Sequence, residues 1–437
     1  MTEFDKKGNP IVSFSASKVV MQTTTEESLP SIRAGKNFEP VKVGGVAVIP
    51  WYDDNEFPQV ADRTISKTSV LKRALSDISK ITLGQGVFPC EVLEYLENGQ
   101  EKLKVITDPV ITNQLQSYVI RRYLAKTEYN VRSFGNAFVE FIPNIEGTKI
   151  LKLNPVSALH CRLEAPDKDG KINNVIVSGK WPDPEKKDIK KYLLLDEIDP
   201  FAHLQILKEE NKLKGQTVFM HITNSFSSND FYPLPDWYSA KEWIEIAQKV
   251  PTLIKSGMDN MLNIFFLIRI PYQYWEKKYP ADEFENNKER KAKIEADILA
   301  LEEKFTSVEN ARKALITFFG DSDVDGDDKW EVELIEPKFN QENFVTSTAA
   351  DTQTAIAAGI SPDLLGLMYG NSKGGSMQRE LLLLQYALSW EARQKLADPI
   401  EMMLRFNNPG MENLQLRFRN TFLTTLDTGA GTDSNLS

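Results

Sequence analysis

The sequence predicts an α+β protein. Three observations lead there: helical periodicity over long stretches such as 108–134, 236–267 and 378–404, a β-rich region from about 150 to 222, and no internal repeat of fixed period. At 437 residues the chain can bury a sizeable core and is expected to fold as two or three structural units.

Residues 1–40 are rich in Thr, Ser, Lys and Glu without sustained periodicity, which predicts an arm outside any core. Residues 43–51 read as a strand. From 65 to 81, Ile65, Val70, Leu71, Leu75, Ile78 and Ile81 recur at helical spacing. Two strands at 90–95 and 103–106, turning at Asn98-Gly99, follow as a hairpin. Asp108-Pro109 is a helix start, with an acceptor at the cap and a proline whose fixed φ suits the first turn. That helix is expected to run to Phe134, where Gly135-Asn136 ends it, and Ala137 to Ile142 alternates as a strand.

Further strands are expected at 150–153, 158–163, 174–177, 192–195 and 218–222. A second long helix is expected over 236–267, with Trp243, Ile246, Val250, Leu253, Ile254, Met261, Leu262 and Phe265 on one face. Pro251 falls inside it and predicts a kink, not an end. Residues 283–312 read as a helix with interspersed charge. Residues 313–319 and 330–335 read as a hairpin closed by the acidic loop 321–328.

Helix returns at 344–358. Ser361-Pro362 then opens a short helix, with a side-chain oxygen expected to cap free amides. A polar break at Asn371, Ser372, Lys373, Gly374, Gly375 and Ser376 separates it from a helix over 378–404, whose stripe is Leu381, Leu384, Leu388, Ala392, Leu396, Ile400 and Met403. A strand at 414–423 and a disordered tail at 428–437 complete the expectation.

With 52 basic residues against 62 acidic, the net charge is −10, which argues against gripping nucleic acid through a basic surface. It leaves room for a protein that surrounds DNA without holding it. Cys90 and Cys161 alone support neither a disulfide framework nor a cysteine zinc site. The first residues lack the apolar core of a signal peptide. The closest approach to a membrane span, 261–270, is short and carries Asn263 and Arg269, so a soluble chain made in the cytoplasm is expected.

Catalytic and cofactor motifs fail on their chemistry. The loop at 321–328 has Asp321, Asp323, Asp325 and Gly326 at the first, third, fifth and sixth places of a calcium loop. The twelfth place, where a bidentate Glu belongs, holds Val332. An acidic hairpin tip is the simpler reading. No phosphate loop of the form G-x-x-x-x-G-K-[ST] occurs, because 371–376 has its lysine and glycines in the wrong order. Leu83-Gly84-Gln85-Gly86 is a lone G-x-G. His160, His203 and His221 are far apart and read as structural, and adjacent His160 and Cys161 on a strand would face opposite ways. No enzyme activity and no cofactor are expected.

The order of elements carries a resemblance. Gly135-Asn136-Ala137-Phe138-Val139-Glu140 ends a helix, Leu153-Asn154-Pro155-Val156 opens a β-rich insert, and His221-Ile222 lies on a strand. Gly359-Ile360-Ser361-Pro362-Asp363-Leu364-Leu365-Gly366 then leads to a loop, followed by Ser376 and Glu380 on a long helix. Over roughly 60–425 this resembles the bacteriophage portal protein family, its HK97-like branch. The family's Tyr-Ser-Asn phrase before the Glu is replaced here by Gly-Gly-Ser-Met-Gln-Arg.

The resemblance implies a portal fold with a wing at 41–107 and 268–360, and a stem helix with its following strand at 108–142. It implies a β-rich clip at 143–233 and a second stem helix at 234–267. A tunnel loop with supporting helix at 361–380, and a long helix with a short crown at 381–427, complete the division. It also implies a homo-dodecameric ring at the unique capsid vertex of a virion, a conduit for packaging and ejecting double-stranded DNA. The implied partners are the major capsid protein, the large terminase and a head–tail adaptor, with no membrane. Met368, Tyr369, Asn371, Ser372, Lys373 and Ser376 would face the DNA through weak, non-specific contacts. The sequence alone leaves two other readings: a virion or scaffold protein without a DNA channel, and an enzyme with a calcium-assisted site at 321–328.

Overall fold

The computed structural model describes residues 2–4, 10–13, 39–52, 54–97, 101–224, 231–261, 266–284, 286–306, 314–319, 331–334, 341–367 and 375–420. The fold is α+β, as the sequence predicts. The chain divides into a larger unit, Glu27–Ile246 with Thr348–Ser437, and a smaller one, Met1–Glu26 with Ala247–Ser347. Residues 41–107 and 268–347, expected together in one wing, therefore belong to different units. The β-rich 143–233 belongs with 41–107.

The larger unit is built on a six-stranded mixed sheet. Its order is Ile150–Val156, Asn136–Pro143, Val218–Thr223, Lys190–Leu194, Asn174–Val177, Cys161–Leu163. Alternation along Asn136–Pro143 sends Phe138 into one core and Ala137, Val139 and Phe141 into another, so both faces of the sheet are covered. The first core is aromatic: Trp51 stacks on Tyr232 at 4.3 Å between centroids and meets Phe57 and Phe138. The second gathers Tyr123, Leu124 and Phe141 with Leu396, Ile400 and Met403. A three-stranded sheet in the order Gln415–Phe418, Val87–Tyr95, Glu101–Val105 is tied across its far strands by Arg417, whose Nε and Nη2 donate to Glu101 at 2.7 and 2.8 Å.

Several expected elements are split. The helix expected over 65–81 is two, Phe57–Lys67 and Ser69–Leu83. The helix from Asp108 is also two, Pro109–Leu115 and Tyr118–Phe134. Asp108 caps the first through Val110 N at 2.7 Å, and Ser117 restarts the chain by accepting from Ile120 N. The strand expected at 43–51 is a hairpin, Val41–Val43 with Val46–Val48, because Gly44 and Gly45 both take positive φ. The strand expected at 158–163 begins as a 3-10 turn, Ala158–His160. Pro200–Glu209 is a helix the pattern missed, although Asp199-Pro200 repeats the Asp-Pro start, with Asp199 accepting from Ala202 N at 2.9 Å.

The smaller unit holds a five-stranded sheet in the order Thr2–Phe4, Pro10–Ser13, Ala314–Phe319, Phe266–Pro271, Glu331–Leu334. Two expectations are corrected here. Residues 1–40 are not wholly an arm, since Pro10–Ser13 pairs antiparallel with Ala314–Phe319. The strands at 314–319 and 331–334 are not a hairpin, because Phe266–Pro271 lies between them, parallel to the first and antiparallel to the second. That strand also ends the helix expected to reach 267; the helix is Lys241–Met261, and Pro251 is carried inside it. The charged helix is Asn287–Thr306, with Ile294 and Ile298 buried. The acidic loop 321–328, the turn at 98–99 and the tail from 428 lie outside the described residues.

Candidate functional site

Of the residues expected to face DNA, Met368, Tyr369, Asn371, Ser372 and Lys373 lie outside the described residues. Ser376 falls in the first turn of the helix Gly375–Leu388. What the structure gives is the frame on which that segment hangs, which from Thr348 onward belongs to the larger unit.

On the upstream side, the helix Gln341–Ala357 ends at Gly359, whose φ of +85° suits glycine. Gly359 N donates to Ile356 O at 2.9 Å, and Ile360 N reaches Ala355 O at 3.2 Å. These bonds satisfy carbonyls left open by the helix end and turn Ile360 into the aromatic core beside Ala355 and Ala358. The next turn, Pro362–Leu365, closes on Gly366 at φ +74°, and Leu367 N donates to Pro362 O at 3.1 Å. Ser361 does not cap this turn with its side chain as expected. Leu364 N is satisfied by the Ser361 carbonyl at 3.0 Å instead, which is enough for a single turn. Leu364, Leu365 and Leu367 pack on the core, so the chain is anchored up to the residue before the loop.

On the downstream side, the expected helix over 378–404 is broken at Ser389 into Gly375–Leu388 and Trp390–Asn407. Ser389 Oγ bonds back to Tyr386 O at 2.8 Å, a bond that competes with helix continuation. Gln385 Nε2 donates to Gly359 O at 3.0 Å, pinning the downstream helix to the upstream turn across the loop. Arg393 fixes the second half. Its Nε and Nη2 donate to Thr82 O and Ile81 O at 2.8 and 3.3 Å, capping the end of Ser69–Leu83, while its guanidinium lies 5.1 Å from the Tyr386 ring. Burial pulls the Arg393 pKa down. No local signal could have identified Gln385 or Arg393, whose partners are remote in sequence.

A cavity of about 230 Å³ sits behind this frame, lined by Gly359, Gln385, Leu388, Arg132, Asp236 and Lys395 among others. Its charges are paired: Lys395 Nζ is 2.8 Å from Glu391 Oε1 and donates to Thr223 O, and Arg132 bonds buried Glu128 at 3.0 Å. Neutralised pairs of this kind position helices and offer no free acid or base. The lone G-x-G is no phosphate cradle either. Gly84 N, Gln85 N and Gly86 N donate to Lys80 O, Arg419 O and Leu83 O, so their amides are committed.

The other candidates are structural. His221 Nε2 lies 2.9 Å from Asn136 Oδ1, and its ring stacks on Phe138 at 4.5 Å; burial depresses its pKa to about 3. His203 Nδ1 accepts from Asp196 N at 2.9 Å. Cys90 and Cys161 are free and buried, and burial pushes both thiols up, away from the reactive thiolate. Among the described residues no cluster of three or more His, Cys, Asp or Glu could hold a metal ion, and no helix is long and apolar enough to cross a membrane.

The fold has known counterparts. A chain in the neck of an empty gene transfer agent particle, computed with C6 symmetry, matches with a TM-score of 0.53 at 14% identity, over 82% of this chain and 83% of that one. A chain in the neck of the native particle, computed with C12 symmetry, matches at 0.52 and 14%, over 84% and 85%. A third, from the native particle's virion, matches at 0.51 and 13%, over 82% and 83%. At such identity the likeness is one of fold. No protein-family model and no curated protein matches the sequence.

Proposed function

We propose that this chain is a structural subunit of a virion head–tail connector, a portal ring through which double-stranded DNA passes. The observation that carries the reading is the likeness over more than four-fifths of both chains to proteins of particle necks, one of them computed with twelve-fold symmetry. The order of elements around 359–384 supports it independently.

Charge distribution fits a conduit. Residues 281–344 hold eighteen acidic against nine basic residues, nearly all of the net −10, whereas 345–420, which include the loop, hold seven of each. A ring of about a dozen copies would carry on the order of −120 in total, so a polyanion is not gripped. Lys373 with its Asn, Ser and Gly neighbours would touch phosphates lightly and let the duplex slide. The ring does no chemistry in this reading. An ATP-driven terminase supplies the force, and capsid protein and a head–tail adaptor are the other partners.

The chain enters the smaller unit within Lys241–Met261 and leaves it within Gln341–Ala357. In this reading these two helices take the part of the stem, the smaller unit with its five-stranded sheet that of the clip, and the larger unit that of the wing. This revises the grouping expected from the sequence and rests on the division of the chain into two units.

Electron microscopy of the purified protein is expected to reveal rings with a central hole wide enough for a duplex. A protein that stays monomeric at high concentration, or assembles without an axial hole, overturns the reading.

A further inference from the structure

The helix Gly375–Leu388 is anchored by one side and bare on another. Gln385, Tyr386 and Ser389 are buried, while Met377, Leu384 and Leu388 are 38%, 55% and 69% exposed, with Leu381 half-buried between them. These four recur at i, i+4, i+7 and i+11, so they form one stripe along the helix. Leu383 and Trp390, 55% and 63% exposed, flank it. Exposed Arg379 and Glu380 lie beside its first turn, and no charged residue occurs from 381 to 390.

Single exposed hydrophobics need no explanation, but a continuous stripe does. The exposed parts of Met377, Leu383, Leu384, Leu388 and Trp390 together amount to roughly 500 Å², near the top of what a monomer leaves in water and over half of one partner's share in a standard interface.

A second bare face lies on the other helix that flanks the loop. Ala349, Gln353 and Ile356 are exposed at i, i+4 and i+7 of Gln341–Ala357. From Phe344 to Ser372 there is no lysine or arginine, and Asp351 and Asp363 are the only acids. Neither face suits a nucleic acid, which needs cations for its phosphates, nor a charged protein surface, whose ions would be stripped of water without partners. Two unlike, uncharged faces on one chain are what a head-to-tail ring requires, because every copy must offer one surface forward and a different one back.

We infer that the Met377–Leu381–Leu384–Leu388 stripe of one copy packs on the Ala349–Gln353–Ile356 face of the next. This rests on the ring reading and adds the contact that closes the ring. The two faces belong to the helices on either side of the predicted DNA-facing loop, so the same contact would hold both ends of that loop in neighbouring copies.

Cysteine pairing tests the contact, since Cys90 and Cys161 are buried and give little background. Ile356→Cys, Leu384→Cys and Leu388→Cys are made singly, along with the two double variants that contain Ile356→Cys, and treated with a short bis-maleimide. Each single variant alone is expected to stay monomeric on a denaturing gel. Mixing Ile356→Cys with either leucine variant should give covalent dimers and nothing larger, and a double variant should give a ladder.

Dimers from Leu384→Cys alone would mean the stripe meets itself, and would overturn the inference. Rings in micrographs with no ladder from either double variant would overturn it too, while leaving the ring reading intact. Monomers throughout, with no rings, would remove both. As a second measurement, Leu384→Lys with Leu388→Lys is expected to abolish rings at least tenfold in concentration while the circular-dichroism melt is unchanged. Persistent rings in that variant refute the contact.

Discussion

Arg162 gives the sharpest test of how the larger unit is held together. Its side chain is fully buried, and its hydrogen-bond partners among the described residues are backbone carbonyls and side-chain amides, with Asp54 acting on its charge from a distance. Nη2 donates to Asn55 O at 2.7 Å, Nη1 to Cys161 O at 2.9 Å and Nε to the Asn55 side chain, while the guanidinium sits 5.3 Å from the Trp51 ring and 4.9 Å from the Trp181 ring. Burial holds its pKa down to about 10, so the charge is kept at neutral pH at a cost. Arg162→Met keeps much of the volume and removes the charge.

Two opposing effects decide the sign. Relief of the desolvated charge, whose pKa burial lowers from 12.5 to about 10, is worth roughly 3 kcal/mol. Against it stand three charge-assisted bonds at about 1.5–3 kcal/mol each and two aromatic contacts at about 1 kcal/mol each, a loss of roughly 6.5–11 kcal/mol. The net expectation is a destabilisation of at least about 3 kcal/mol, the scale of breaking a buried polar cluster from one side. Urea unfolding followed by tryptophan fluorescence measures it directly, because Trp51 and Trp181 both touch the guanidinium. Arg162→Lys should recover less than half, since an ammonium cannot make three divergent planar bonds. A midpoint for Arg162→Met equal to or above the wild type would refute the reasoning, because it would mean that desolvation outweighs the bonds.

Two more outcomes follow from local geometry. Gly135 ends Tyr118–Phe134 at φ +71°, and a Cβ there would collide with the Pro233 carbonyl oxygen and lie 2.8 Å from Leu234 C, so Gly135→Ala should cost about 3 kcal/mol or more in urea unfolding, whereas Gly86→Ala, equally left-handed but with open space around it, should cost about 1 kcal/mol. His221 has its folded pKa depressed to about 3 from 6.5, so its contribution is complete above pH 6.5 and is lost as pH falls towards 3; at pH 5 the loss should be about 2 kcal/mol, and His221→Gln, compared at pH 7.5 and 5, should flatten that slope.

Much of the helical content was legible because its signals are local. Asp108-Pro109 and Gly135 bracket a helical segment through bonds within a few residues of each other, and Asp199-Pro200 carries the same start signal that the β-rich surroundings obscured. The breaks at Thr68, Ser117 and Ser389 were harder, since apolar periodicity runs through all three and only a hydroxyl interrupts it. Sheet order was not legible at all in the smaller unit. Nothing near Pro10–Ser13 specifies Ala314–Phe319 as its neighbour, and the central Phe266–Pro271 reads equally well as the end of a helix until both of its edges are paired.

The same distinction explains the frame around 368–374. The loop itself was visible as a polar break, but the groups that fix its ends, Gln385 on Gly359 O and Arg393 on the end of Ser69–Leu83, act across 26 and 311 residues. A helix stripe read from sequence also does not say which of its sides is spoken for. Leu381, Leu384 and Leu388 fall in one stripe with Leu396, Ile400 and Met403 in the sequence, yet the break at Ser389 separates them, and the second group alone enters the core. An apolar stripe left half in water is poor economy for a monomer and sound design for a subunit, so the exposure of Leu384 and Leu388 beside a stripe that continues into the core itself argues for a neighbouring copy.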